Sequence, residues 1–198
     1  MSKVAPRQKN ITMKDSEFIR GEVPMTKEEI RTLAISKLEL KKDDWLMDIG
    51  AGTGSVSVEA ALLLSEGKVL AIEHKKEAVD LILQNKEKHQ TQNLDVIHAK
   101  APEGMTNLST YNKFFIGGSG GNLKDILQLI NTSAAKNSIV VVTAIVLDTM
   151  IKAYEFFKEN DIDFELIQVG VNKIDTSKKV AMLTAQNPIF ILTGKVNH

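Results

Sequence analysis

Trp45-Leu-Met-Asp48-Ile-Gly50-Ala-Gly52-Thr-Gly54-Ser-Val56 decides the fold. Five residues, mostly large and apolar, run into glycines at alternate positions, and a helix-compatible stretch follows over residues 56–65. A strand that stops at a glycine bend and resumes as a helix is the first half of a βαβ unit, and Lys68-Val-Leu-Ala-Ile-Glu73 supplies its second strand. Glycine lets the backbone approach a ligand closely, while a helix start directs unpaired N–H groups at it. The spacing is Gly-x-Gly-x-Gly. A dinucleotide fingerprint would place its third glycine at position 55, where Ser55 stands, so a pyrophosphate cradle is disfavoured.

Moving outward, residues 76–90 form a polar amphipathic helix and 94–98 a third strand. Residues 111–116 form a fourth strand, ending at Gly117-Gly-Ser-Gly-Gly121, and 123–130 a helix. The β-branched run 138–145 is a fifth strand, followed by a helix over 149–160. Near-continuous apolar strands of this kind are buried on both faces of a parallel sheet, so helices cover both sides. The rhythm then breaks. Residues 163–174 and 187–196 read as two strands joined by a polar, lysine-rich connection, which makes an antiparallel pair the simplest arrangement. The expectation is an α/β fold, Rossmann-like, with a seven-stranded, mostly parallel sheet and a C-terminal antiparallel hairpin. That pattern matches the class I methyltransferase architecture better than a dehydrogenase, whose alternation continues into a sixth parallel strand.

Upstream of the first strand, Thr26-Lys-Glu-Glu29 has the form of a capping box, with Pro24 before it and Ile30, Leu33, Ala34 and Leu38 on one helical face. Residues 1–23 are expected to be an N-terminal arm that packs through Phe18 and Ile19, and 24–198 a single methyltransferase domain. With 43% hydrophobic and 25% charged residues, the composition is that of an ordinary globular chain. Lys+Arg and Asp+Glu both number 25, so bulk charge gives no reason to expect nucleic acid as the main partner. The chain has no cysteine, which excludes disulfides, thiolate metal sites and cysteine nucleophiles. The polar N-terminus lacks a signal-peptide core and no run is long enough for a membrane span, so a cytoplasmic location is expected.

Glu73 ends the second strand, where a nucleotide-binding βαβ unit carries the carboxylate that accepts from ribose hydroxyls. Asp48 and Glu73 together would put negative charge near a cationic sulfonium. Gly117–Gly121 and Thr143 lie at carboxyl ends of strands, where open α/β sheets bind ligands, although a flexible turn accounts for the glycines equally well and β propensity is the commoner reason for a strand threonine. His74, His89, His98 and His198 show no metal-ligand spacing and are read as structural or solvent-facing; no metal is expected. Arg20, Lys27, Arg31, Lys173, Lys178 and Lys179 are candidates for a patch facing a polyanionic substrate, with scattered surface cations the commoner explanation.

Several segments together resemble one family, the CbiT-type corrin-ring methyltransferases of cobalamin biosynthesis, the decarboxylating cobalt-precorrin-6B C15-methyltransferases. The segments are Asp15-Ser-Glu-Phe-Ile-Arg20, Pro24-Met-Thr-Lys-Glu-Glu-Ile-Arg31, Asp48-Ile-Gly-Ala-Gly-Thr-Gly54, Ala101-Pro-Glu103, Gly117-Gly-Ser-Gly-Gly121, Thr143-Ala-Ile-Val-Leu-Asp-Thr149 and Asn187-Pro188. The glycine loop is common to all class I enzymes, whereas the Pro-Met-Thr-Lys and Gly-Gly-Ser-Gly-Gly segments discriminate. The resemblance implies S-adenosyl-L-methionine as cofactor, contacted by Thr26, Asp48, Gly50, Ala51, Gly52, Thr53, Gly54, Glu73 and Ala101. It implies a tetrapyrrole substrate, precorrin-6B or its cobalt form, near Gly118, Ser119, Gly120 and Thr143. The reaction implied is methylation at C-15 with decarboxylation of the ring C acetate, and no catalytic acid or base is assigned. A homotetramer, transient contact with other corrin-pathway enzymes, and neither nucleic-acid nor membrane partners are also implied. Lys100 stands where the family usually has an acid, and Asp148 where it usually has glutamate. An RNA methyltransferase of similar fold and a non-catalytic S-adenosylmethionine-binding module are the alternatives.

Overall fold

A computed structural model describes residues 12–175 and 180–196. Seven of its strands form one sheet in the order β3-β2-β1-β4-β5-β9-β6, made of β1 (Trp45–Ile49), β2 (Lys68–Glu73), β3 (Leu94–His98), β4 (Lys113–Ile116), β5 (Ser138–Ala144), β6 (Asp163–Val169) and β9 (Ile189–Val196). The first five run parallel, with Leu46 beside Val69 and Lys113. The last two are antiparallel, Val141 standing opposite Thr193, and Thr193 opposite Glu165. Alternation along the central strands divides the core in two. Leu46, Val69, Ala71, Phe115 and Val141 point to one side; Met47, Leu70, Ile72, Phe114 and Val140 point to the other.

The first side is covered by α1 (Glu28–Lys37), α2 (Ser55–Leu63) and α3 (Lys76–His89), the second by α4 (Leu123–Ser133) and α5 (Leu147–Glu159). Helix α4 buries Leu123, Ile126, Leu127 and Ile130, the spacing of a single apolar stripe. Helix α2 differs. Seven of its nine residues are buried, because Ser-Val-Ser-Val-Glu-Ala-Ala lies between the sheet and its flanking helices. The helix that anchors the glycine loop is thus part of the core.

Two expectations need correction. The lysine-rich connection is not a plain linker: β7 (Asn172–Asp175) and β8 (Met182–Ala185) pair as a separate antiparallel ribbon. Gly170 separates β6 from β7, so the single strand expected over 163–174 is two strands in different sheets. Secondly, α1 begins at Glu28 rather than after a Thr26 cap, and no side chain of its N-cap residue Lys27 caps it. Asp15 does so from thirteen residues away, its Oδ1 accepting from the Glu28 N–H at 2.9 Å. The arm is pinned at several points, with Met13 and Phe18 buried and both the N–H and the carbonyl of Ile19 bonded to the buried Asn85 side chain. Among the described residues no helix is long and apolar enough to cross a membrane.

Candidate functional site

The order of the sheet reverses between β1 and β4, so the loops that follow these strands diverge and leave a crevice between them, the usual ligand position in such sheets. At its floor the two loops touch through backbone alone. The Ile49 carbonyl accepts from the N–H of Gly117 at 3.0 Å and of Gly118 at 3.3 Å. Gly50 adopts φ +70°, and a Cβ on it would stand 2.1 Å from the Gly118 carbonyl oxygen. Only glycine fits. On the opposite wall, a Cβ on Gly52 would meet the Pro24 carbonyl oxygen at 3.0 Å. The alternating glycines therefore fit the loop between two backbone neighbours.

Above this floor opens a cavity of about 560 Å³, well inside the usual range for small-molecule sites. Thr26, Gly50, Ala51, Gly52 and Glu73 line one part of it, and Gly118, Ser119, Gly120 and Thr143 another. Asp48, Thr53, Gly54 and Ala101 stand outside that lining. Asp48 lies under the loop, where the Ser57 hydroxyl donates to Oδ2 and fastens the first turn of α2 to the end of β1. Its Oδ1 is buried with no hydrogen-bond partner among the described residues, and the Thr53 hydroxyl is in the same position. Burial pushes the Asp48 carboxyl up to about 7; the Ser57 bond opposes that shift and the charge of Glu73 adds to it. Gly54 is the left-handed N-cap of α2, and the Ala101 carbonyl accepts from Asn122 Nδ2 at 2.8 Å. Lys100 passes its aliphatic stem over Gly120, where a Cβ would lie 3.2 Å from Lys100 Cε.

Glu73, only 5% exposed, is the acid of the cavity. Oε2 accepts from Gly52 N–H at 2.9 Å, and Oε1 from the N–H groups of His74 and Lys75 at 2.8 and 2.9 Å. Three backbone donors fix the carboxylate. About four acceptor positions exist on such a group, so capacity remains for a ligand hydroxyl. These features suit a nucleoside-bearing cation: an oriented acid, a glycine cradle that side chains would fill, and buried, unpartnered oxygens behind it.

His74 is exposed and also lines the cavity, with Nδ1 3.1 Å from Glu73 Oε1, whereas the exposed His98 and the half-buried His89 are bonded to the carbonyls of His74 and Glu17. His198 lies outside the described residues. Of the candidate cations among the described residues, Lys27 and Lys173 pair with Asp15 and Glu29 and Arg20 is exposed; Lys178 and Lys179 lie outside the described residues. Arg31 is wholly buried. Among the described residues no three Asp, Glu or His side chains are placed to hold a metal.

The profile of the precorrin methyltransferase domain matches residues 17–194. The chain belongs to this family. A relative from Sulfolobus acidocaldarius, a probable cobalt-precorrin-6B C(15)-methyltransferase (decarboxylating), is 41% identical over 185 residues, covering 91% of this chain and 95% of its own. The precorrin-6y C5,15-methyltransferase of Geobacter metallireducens superposes with a TM-score of 0.88 at 34% identity, over 93% of this chain and 97% of that one. The precorrin 8w decarboxylase of Methanobacterium thermoautotrophicum gives 0.85 at 28%, over 92% and 98%. A tRNA methyltransferase from Aquifex aeolicus, with a TM-score of 0.73 at 14% identity over 90% of this chain and 72% of that one, shares the fold alone. Membership in the precorrin methyltransferase family makes this chain an enzyme of methyl transfer.

Asn85 is not picked out by motif reading, while Arg31 reads as a candidate substrate cation and Asp15 only as part of a resemblance segment, neither in the role the structure gives it. Asn85 Nδ2 donates to the Thr53 carbonyl at 3.0 Å and so ties the glycine loop to α3. A signal existed. Asn85 continues the buried stripe of Ala78 and Ile82, and Arg31 that of Ala34, Ile35 and Leu38, each a polar residue on an apolar face. Asp15 gave none, because its partners are set by tertiary contact.

Proposed function

We propose that the protein uses S-adenosylmethionine to methylate precorrin-6B, or its cobalt form, at C-15, with decarboxylation of the ring C acetate. One observation carries this reading: the glycine loop and the Gly117–Gly121 loop abut at Gly50 and Gly118 and line a single cavity, so that methyl donor and acceptor would face each other across one contact. S-adenosylmethionine supplies an electrophilic methyl on a sulfonium. Glu73 would accept from the ribose hydroxyls, and the loop backbone from Gly50 to Gly52 would follow the rest of the cofactor. The chain's role is to align carbon, methyl and sulfur for in-line displacement, which by itself supplies much of the rate.

A tetrapyrrole is too wide to be enclosed beside a cofactor in a cavity of about 560 Å³, so its ring would rest at the mouth. There Ile145 and Val146, 61% and 58% exposed, provide an apolar surface after β5, and Thr149 stands behind them. Exposed apolar side chains beside a pocket are what a flat hydrophobic ligand requires. Loss of carbon dioxide leaves an electron pair that the conjugated ring accepts before a proton fills it, and a dry, apolar wall favours that loss by desolvating the carboxylate. A homotetramer belongs to the same proposal; Ile174, Val180, Met182 and Leu183, all exposed on or beside the β7–β8 ribbon, would be covered in it. Sedimentation gives the assembly state directly.

Purified protein incubated with S-adenosylmethionine and cobalt-precorrin-6B, followed by mass spectrometry, tests the reaction. Gain of one methyl and loss of carbon dioxide is the expected result. Neither change appearing, with the cobalt-free substrate tried as well, would refute the proposal.

A further inference from the structure

Arg31 heads the large side chains that are fully withdrawn from solvent. Its guanidinium spreads over three parts of the chain. Nε donates to Glu59 Oε2 on α2 at 2.6 Å, Nη1 to the Thr26 carbonyl at 2.7 Å and to Asp15 Oδ1 at 3.1 Å, and Nη2 to the Met13 carbonyl. The Phe18 ring covers it, 4.7 Å from centroid to Cζ. A buried Arg–Glu pair contributes little net stability compared with well-packed apolar residues, because both ions are desolvated. Glu59 shows the strain of that burial: its carboxyl is raised, desolvation outweighing the opposing pull of Arg31. The fork does something that an apolar side chain cannot. It fixes the backbone carbonyl of Thr26, a residue of the cavity wall, together with that of Met13.

That wall runs from Val23 to Lys27, and its Pro24 carbonyl faces Gly52 of the glycine loop. Glu59, four residues beyond Ser55 on the helix that leaves the same loop, holds the other end of the guanidinium. Arg31 thus spans the two structures that would enclose the donor. We infer that Arg31 is a positioning residue for the methyl-donor site, setting the distance between the Thr26 wall and the glycine loop. The inference rests on the proposed use of S-adenosylmethionine. It differs from a purely structural role because the bond to Thr26, rather than the ion pair, is the functional contact.

Two substitutions separate the roles. Arg31→Lys keeps the charge beside Glu59 but cannot reach Thr26, Asp15 and Met13 together. Glu59→Gln disturbs the pair yet leaves the Thr26 bond intact. Arg31→Lys should raise the S-adenosylmethionine dissociation constant and KM by about tenfold, the loss of a hydrogen bond from a charged donor, with kcat at saturation changed far less. Glu59→Gln should lower Tm but leave cofactor affinity within about twofold. Should Arg31→Lys prove too unstable, Arg31→Met with Glu59→Leu removes both charges together, which buried pairs tolerate, and should still lose about tenfold in affinity. Calorimetry with S-adenosylmethionine and with its demethylated product reads all three. Wild-type protein that binds neither compound would sink the cofactor reading itself. If the wild type binds, and either the Glu59 variant loses as much affinity as the Arg31 variant or the double variant binds normally, the positioning role is refuted.

Discussion

Replacing Gly50 by alanine tests the contact on which the whole site depends. The new methyl would stand 2.1 Å from the Gly118 carbonyl oxygen and 2.7 Å from both its carbonyl carbon and its Cα, where real Cβ atoms do not come within 3.0 Å. The two loops must part by nearly 1 Å, which stretches the Gly117 and Gly118 bonds to the Ile49 carbonyl, each of them worth about 1 kcal/mol. Left-handed backbone at φ +70° adds roughly 1–2 kcal/mol for a residue with a side chain. The sum, about 3–4 kcal/mol, corresponds to a Tm fall of roughly 10 °C for a chain of this size. It leaves most of the protein folded. A displacement of about 1 Å between donor and acceptor can cost on the order of a hundredfold in rate. Gly118→Ala is the control for stability, since a Cβ there meets nothing closer than 3.8 Å. Differential scanning calorimetry and a methyl-transfer assay on both variants read the result. A Gly50→Ala protein with wild-type Tm and activity would show that the loops do not abut as described.

Glu73→Ala should weaken S-adenosylmethionine binding by roughly 1.5–3 kcal/mol, the worth of hydrogen bonds to a charged acceptor; unchanged affinity by calorimetry would remove Glu73 from the ribose. Asp48 titrates at about 7 in the folded chain against an ordinary 3.8. Below about pH 4 both states hold the proton, and as pH climbs toward 7 the unfolded chain releases it first, so this residue's contribution to stability is lost across that window. Asp48→Asn should flatten that decline in urea melts, and an unaltered slope would contradict the burial described. Asn85→Ala strands the Ile19 and Thr53 backbone groups, and a loss of about 3 kcal/mol is expected, together with faster hydrogen exchange at Ile19. Protection at Ile19 equal to that of the wild type would mean that the arm is held by something else.

Much of this was legible in the sequence for physical reasons. Trp45–Ile49, the glycines after it and Glu73 carry a local pattern, strand then bend then helix then acid, that survives any packing detail. The parallel strands were readable because burial on both faces selects continuous apolar runs. The ribbon β7–β8 was missed because Asn172–Asp175 and Met182–Ala185 are short and exposed, so no buried face imprints an alternation on them. The capping error at Thr26 has a different cause. A capping box is a local rule, and here Asp15 overrides it from a segment that only the fold brings near. Buried polar residues such as Asn85 and Arg31 look like surface in composition, and only their place on an apolar stripe betrays them.

Helix α2, largely buried, and the turn at Ile145 and Val146, open to solvent, divide two burdens between different residues. Changes in the first threaten the fold, so the donor half of the cavity is a poor target for diversification. Changes in the second cost little stability, because exposed side chains remove no packing when they are altered. A library randomised at 145 and 146 would therefore vary the surface offered to an acceptor on an undisturbed scaffold, and new acceptor preferences are most cheaply sought there.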